Sequence, residues 1–183
     1  MKKIIITILI VLLCVGLGYY VANRSYVFKS EYTLNQQQYD TLARLGSTAI
    51  NTLDVPVASI LVYRGIIIGS GYNTVMKNTR IGEHAEINAI SSAIAKSGFE
   101  KFSSLNRDSL MLITTYEPCL MCTGAIIENN ITHVYVVKEK TFRQNISDEW
   151  KWLKFLISRD KTDHTYMQDS LFEMHPYYPM RNQ

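Results

Sequence analysis

Two short fragments constrain this chain more than any other feature. They are His84-Ala85-Glu86 and Pro118-Cys119-Leu120-Met121-Cys122, and each stands where an extended or loop segment gives way to helical apolar spacing. Between them, Leu110 to Thr115 is a continuous apolar run of strand length. Two helix starts separated by a strand point to an α/β fold.

The rest of the chain reads in the same terms. From Leu34, apolar residues recur at Leu42, Leu45, Ala49 and Leu53 with helical spacing, and this helix ends near Asp54-Val55-Pro56. Val57 to Tyr63 and Ile66 to Ser70 are short β-branched runs joined at Arg64-Gly65, the signature of a tight hairpin. Ala85, Ala89, Ile90, Ala93 and Ile94 keep helical spacing up to Gly98, where a C-terminal stop is expected. Pro118 is expected to open the next helix at its first position, where its missing donor costs nothing, and that helix runs to about Asn129. Val134 to Val137 is another strand, and Ile146, Trp150, Leu153 and Ile157 predict the core stripe of a later helix. The expected order is α-β-β-α-β-α-β-α.

At 183 residues there is room for one globular domain and some spare chain, and 47% hydrophobic with 19% charged residues excludes both a disordered tail protein and a polytopic membrane protein. Setting aside Lys2 and Lys3 leaves 17 basic against 16 acidic side chains, which argues against indiscriminate polyanion binding. Residues 138–161 hold seven basic and four acidic side chains with Trp150 and Trp152 among them, and read as an ordinary solvated helix face rather than an RNA-facing one.

Ile4 to Ala22 carry no formal charge over 19 residues, close to the length of a spanning helix. The run predicts an N-terminal transmembrane helix, a single-pass membrane anchor, with a cleaved signal segment as its rival because Gly16 and Gly18 offer small residues at a cleavage spacing. Cys14 is then an apolar side chain within the run. The short basic leader favours a body outside the cytoplasm, although Arg24 and Lys29 follow the run as Lys2 and Lys3 precede it.

The chemistry lies in the two fragments. Cysteines at i and i+3 in a first helical turn fall on one side, and a helix N-terminus favours their thiolates. His84 adds a nitrogen to these two sulfurs, a set suited to tetrahedral zinc with one position open. Three cysteines are too few for a disulfide framework, and no further cysteine in the body offers a fourth ligand. Glu86, two residues past His84, is placed to move a proton to and from water at the open position. A H-x-E with a P-C-x-x-C is the pattern of hydrolytic nucleobase deamination. Two other readings stay open. One is a thiol redox protein using Cys119 and Cys122, and the other is a non-catalytic zinc-binding interaction module.

With Val55-Pro56-Val57, Gly71-Tyr72-Asn73, His84 to Ile90, and Glu117-Pro118-Cys119 through Cys122 to Ile127, the chain resembles the cytidine and deoxycytidylate deaminase superfamily over roughly residues 34–138, most closely its tRNA-specific adenosine deaminase and guanine deaminase branch. The resemblance implies a three-layer α/β/α fold with a mixed five-stranded sheet. It implies that His84, Cys119 and Cys122 bind Zn2+, that Glu86 is catalytic, and that Asn73, with Val57 and Ala85, binds the base. On the residues alone, Asn73 reads equally well as a turn residue. Where family members carry an Asp-Pro-Thr-like segment and a small residue before the histidine, this chain has Thr79-Arg80-Ile81-Gly82-Glu83. Glu83 reads as a solvated acid at a helix start, or as a charge that meets the substrate.

The expected plan is an anchor or signal segment at 1–24, a linker at 25–33, a zinc-dependent deaminase domain at 34–160 and a tail or flap at 161–183. The expected function is deamination of adenosine in RNA, or of a free base or nucleoside such as guanine. The implied partners are that nucleobase-containing substrate, the membrane through the N-terminal helix, and a second copy of the chain in a homodimer.

Overall fold

The computed structural model describes residues 2–24, 32–159 and 165–174. It falls into two compact units, Met1–Asp40 and Thr41–Gln183. In the first, helix α1 (Lys2–Arg24) is followed, after residues outside the described set, by the start of α2 (Gln36–Asn51). Asn35 and Gln38 begin α2 reciprocally: the Asn35 side chain accepts from the Gln38 N–H at 2.9 Å and the Gln38 side-chain Oε1 accepts from the Asn35 N–H at 3.1 Å, a capping box.

Among the described residues no helix is long and apolar enough to cross a membrane, which overturns the transmembrane anchor expected at the N-terminus. The single-pass membrane location, the outward-facing body and the membrane as a partner fall with it.

The second unit is a three-layer α/β fold. Its strands are β1 (Ala58–Tyr63), β2 (Ile66–Tyr72), β3 (Leu110–Tyr116) and β4 (His133–Lys138), in the order β2-β1-β3-β4. Pairing is antiparallel for β2-β1 and β1-β3 and parallel for β3-β4, so the sheet is mixed. Among the described residues it has four strands, not the five that the resemblance implied. After β4 the chain turns into helix α7 (Phe142–Ser158), started by a capping box between Thr141 and Gln144, and the remaining described segment is helix α8 (Thr165–Met174). The apolar spacing past Val137 is helical, so that segment supplies no edge strand. The tail expected at 161–183 thus contains α8, while His175 to Pro179 and most of the expected linker lie outside the described residues.

Ala58 to Val62 on β1 are buried at every position, so both faces of the sheet are covered. Leu61, Leu110 and Leu112 on one face pack with Ala89, Ile90 and Ala93 of α4 (Ala85–Ser97), with Phe102 of α5 (Phe99–Ser103), and with Ile126 of α6 (Leu120–Glu128). The expected hairpin forms at Arg64 and Gly65, with φ of 49° and 81°, where glycine's freedom meets the turn's need. Helix α4 ends at Gly98 as expected, again with positive φ. A short helix α3 (Val75–Asn78), which the sequence did not announce, leads from β2 toward His84.

Helix α4 lies unusually close to β2. A Cβ on Gly69 would stand 2.3 Å from the Ala89 carbonyl oxygen, and one on Gly71 would stand 2.5 Å from the Ala89 nitrogen. These two glycines set how near the start of α4 comes to the sheet. Gly71→Ala is expected to cost about 1–3 kcal/mol by overpacking, seen as a lower denaturation midpoint. An unchanged midpoint would mean that α4 withdraws without loss.

The stripe expected to make α7 a core helix is not buried. Ile146, Trp150, Leu153 and Ile157 are all exposed, and Asn145 is the buried residue of the helix. Helical periodicity locates a face, and only the packing of the whole chain decides what covers it.

Candidate metal centre

Two helix N-termini converge here. His84 is the N-cap of α4 with an extended backbone (φ −80°, ψ 158°), and Cys119 is the N-cap of α6 (φ −78°, ψ 170°). Pro118 is therefore not the first helical residue, as the sequence predicted, but precedes the cap. Cys122 sits three residues after Cys119, where an N-cap side chain and the third helical residue meet.

The three side chains come together. The two sulfurs are 3.6 Å apart, and His84 Nδ1 is 3.6 Å from each. Zinc with Zn–S of about 2.3 Å and Zn–N of about 2.0–2.1 Å in a tetrahedron sets such atoms about 3.6–3.8 Å apart. The donor set and its spacing fit the ion. Among the described residues His84, Cys119 and Cys122 form the one cluster of three such groups close enough to hold a metal. Cys122 is fully buried and Cys119 half-buried. The hydrogen bond from Cys122, together with the first N–H groups of α6, holds the Cys119 thiol down to about 5 against its partial burial, whereas Cys122 is pushed up as donor to its neighbour and by its own burial.

Glu86 is on the first turn of α4 and 3% exposed. Its carboxyl is pushed above the ordinary range chiefly by that burial. Because His84 is a cap with extended backbone rather than a helical residue, two positions along the sequence do not turn Glu86 away from it. Thr114 near the end of β3, which sequence reasoning missed, places its hydroxyl 3.4 Å from Glu86 Oε1. Its one signal was a polar residue closing an apolar strand.

Asn73 follows β2 and is buried. Its N–H donates to the Val57 carbonyl at 3.1 Å, and its Oδ1 accepts from the Ala85 N–H at 2.9 Å. Its side chain thus satisfies an orphan donor at the start of α4, and its backbone and side chain together tie the three residues expected to bind the base, Asn73, Val57 and Ala85, into one cluster. Val57 is half-buried and Ala85 fully buried.

Glu83 is neither a solvated acid nor a free charge. Its carboxylate accepts from Thr74 Oγ1 at 2.6 Å, from Asn78 Nδ2, and from Arg80 Nη1 at 3.3 Å. These bonds, Thr74 first, hold it below the usual carboxylate range. They close the loop between β2 and α4, and Asn88 adds to it with bonds to the Tyr72 carbonyl and Thr74.

The family profile described as "Cytidine and deoxycytidylate deaminase zinc-binding region" matches residues 34–138. The chain is 35% identical over 86 residues to a tRNA-specific adenosine deaminase 2 of Xenopus tropicalis, covering 45% of this chain and 49% of that one. It is 35% identical over 94 residues to a tRNA-specific adenosine deaminase of Buchnera aphidicola, covering 51% and 55%. The chain therefore spans about half the length of these curated relatives. The X-ray structure of guanine deaminase from Bacillus subtilis aligns with a TM-score of 0.51 and 25% identity over 72% of this chain and 82% of that one.

Proposed function

Because this chain belongs to the cytidine and deoxycytidylate deaminase zinc-binding family, we propose that it hydrolyses the exocyclic amino group of a nucleobase. Water and an amino-bearing ring carbon become a carbonyl and ammonia. The observation that carries the reading is the triangle of His84 Nδ1 and two cysteine sulfurs with every side at 3.6 Å, set beside a buried carboxyl. These three side chains would hold zinc, which when bound supplies Lewis acidity that makes water nucleophilic near neutral pH.

The chain's own residues do the rest. Glu86 takes one proton from water and passes it to a ring nitrogen, then takes the second from the hydroxyl now on the ring carbon and gives it to the leaving amine as the carbonyl forms, so one carboxyl serves both directions. Thr114 keeps that carboxyl oriented. Asn73 has its oxygen engaged by the Ala85 N–H, so toward a base it offers the N–H groups of its amide and selects an acceptor. Val57 and Ala85 flank it. The third, nitrogen donor at equal distance from both sulfurs weighs against the thiol redox reading, which has no use for it.

Adenosine in RNA is the substrate this reading favours, supported by the 35% identity to two proteins named as tRNA-specific adenosine deaminases. Guanine as a free base is the second reading, supported by the likeness to a guanine deaminase. Homodimerisation is part of the same proposal, and the exposed Ile127 of α6 and Trp150 and Leu153 of α7 support it. The experiment is ammonia release from guanine and inosine formation in an RNA stem-loop, each at low and high salt. Turnover of RNA should fall steeply with salt, because phosphate contacts release counterions, whereas turnover of guanine should hardly change. No ammonia from either class would overturn the proposal.

A further inference from the structure

The turn that delivers Cys119 is gripped from elsewhere. Glu117 donates its N–H to the Lys138 carbonyl at 3.0 Å, continuing the β3-β4 pairing by one bond. Its carboxylate accepts from the Lys140 N–H at 2.8 Å, and the Pro118 carbonyl accepts from Lys140 Nζ at 2.6 Å. The same ammonium lies 2.8 Å from Asp148 on α7, which also holds Lys151 at 3.0 Å. The Lys140 and Asp148 side chains are only 10% and 18% exposed, so water competes weakly for this pair.

Proline has no N–H, so at position 118 the carbonyl is the backbone group by which the peptide entering Cys119 can be held. An ammonium is a strong donor for it. Cys122 is anchored by full burial in α6, and His84 stands at the head of α4, which packs on the sheet. Cys119 stands at the half-buried N-cap, with its thiol direction set by the peptide before it. Any looseness in the turn therefore falls on Cys119. Both Lys140 and Asp148 lie past residue 138, where the family match ends, so this grip belongs to the part of the chain the family does not describe.

We propose that Lys140, braced by Asp148, is a positioning residue for Cys119: its bond to the Pro118 carbonyl holds the thiolate at the corner of the metal triangle. The inference rests on the zinc reading above. It extends the metal centre to α7 and gives that helix a part in the site that its exposed apolar side chains do not suggest.

The test uses the full chain loaded with zinc or with cobalt(II), whose ligand-field and thiolate charge-transfer absorption reports the ligand geometry. Lys140→Met should lower zinc affinity, measured against a chromophoric chelator, by about 10–100-fold, as loss of a partner behind a metal ligand does. Its cobalt bands should shift. Asp148→Asn, which keeps the lysine but removes its brace, should move both readouts in the same direction by less, and it carries the test if Lys140→Met does not fold. A generally weakened fold would lower the denaturation midpoint and leave the cobalt spectrum of the loaded protein unmoved. Unchanged spectra and zinc affinity in the variants that fold would overturn the inference while leaving the zinc reading intact. A wild-type chain that takes up neither metal overturns both, and does so before any substitution is made.

Discussion

Glu86→Gln is expected to reduce ammonia release by about 10²–10⁴-fold or more while zinc stays bound. The carboxyl is 3% exposed and lies against the metal triangle without being one of its corners. Glutamine has nearly the same shape and can still meet the Thr114 hydroxyl, which lies 3.4 Å from Glu86 Oε1. It cannot accept and return a proton. The loss should therefore appear in turnover, with metal content and denaturation midpoint close to the parent. A variant that releases ammonia as fast as the parent would remove Glu86 from the reaction, whereas a parent and a variant that both bind zinc and release no ammonia would favour a zinc-bound interaction module, for which proton transfer has no purpose. Measuring metal content by elemental analysis and ammonia by a coupled assay separates the two.

Removing a ligand should have the largest effect of all. Cys119→Ala is expected to drop zinc from about one equivalent per chain to near none, since three protein ligands leave little affinity to spare when one is lost. Ammonia release should fall to background with it. Cys119 is preferred over Cys122 because the latter is fully buried, and its replacement would mix ligand loss with a cavity. His84→Ala distinguishes the remaining alternative. A deaminase loses metal and turnover by this change, whereas a thiol redox protein keeps its Cys119 and Cys122 exchange with thiols. Retention of stoichiometric zinc by Cys119→Ala would sink the metal assignment.

Much of the second unit was readable along the chain because its signals are local. The hairpin at Arg64-Gly65, the stop at Gly98 and the four strands all rest on side-chain alternation, β-branching or a positive φ that a few neighbouring residues dictate. The residue-by-residue pattern counted four strands, and the fifth came from the resemblance alone. Where local signals tied, the reading slipped by small but informative amounts. Pro118 fits the first helical position and the position before the cap about equally well on propensity. The observed choice puts Cys119 at the cap, with an extended backbone. The apolar stripe of α7 was identified as a stripe but not as an exposed one, because periodicity carries no information on what lies opposite.

The sequence by itself determined the donor types, their placement at two helix starts, and the carboxyl beside them, since each depends on residues within one helical turn of one another. Only the tertiary structure decided that the three donors meet at 3.6 Å, that Asn73 caps α4 through the Ala85 N–H, that Glu83 is consumed in closing its loop, and that Lys140 reaches the Pro118 carbonyl. Those pairings join residues brought together by the close approach of α4 to β2 and by the parallel pairing of β3 with β4. Such approaches follow from packing summed over the whole unit, and no window of neighbouring residues contains that sum.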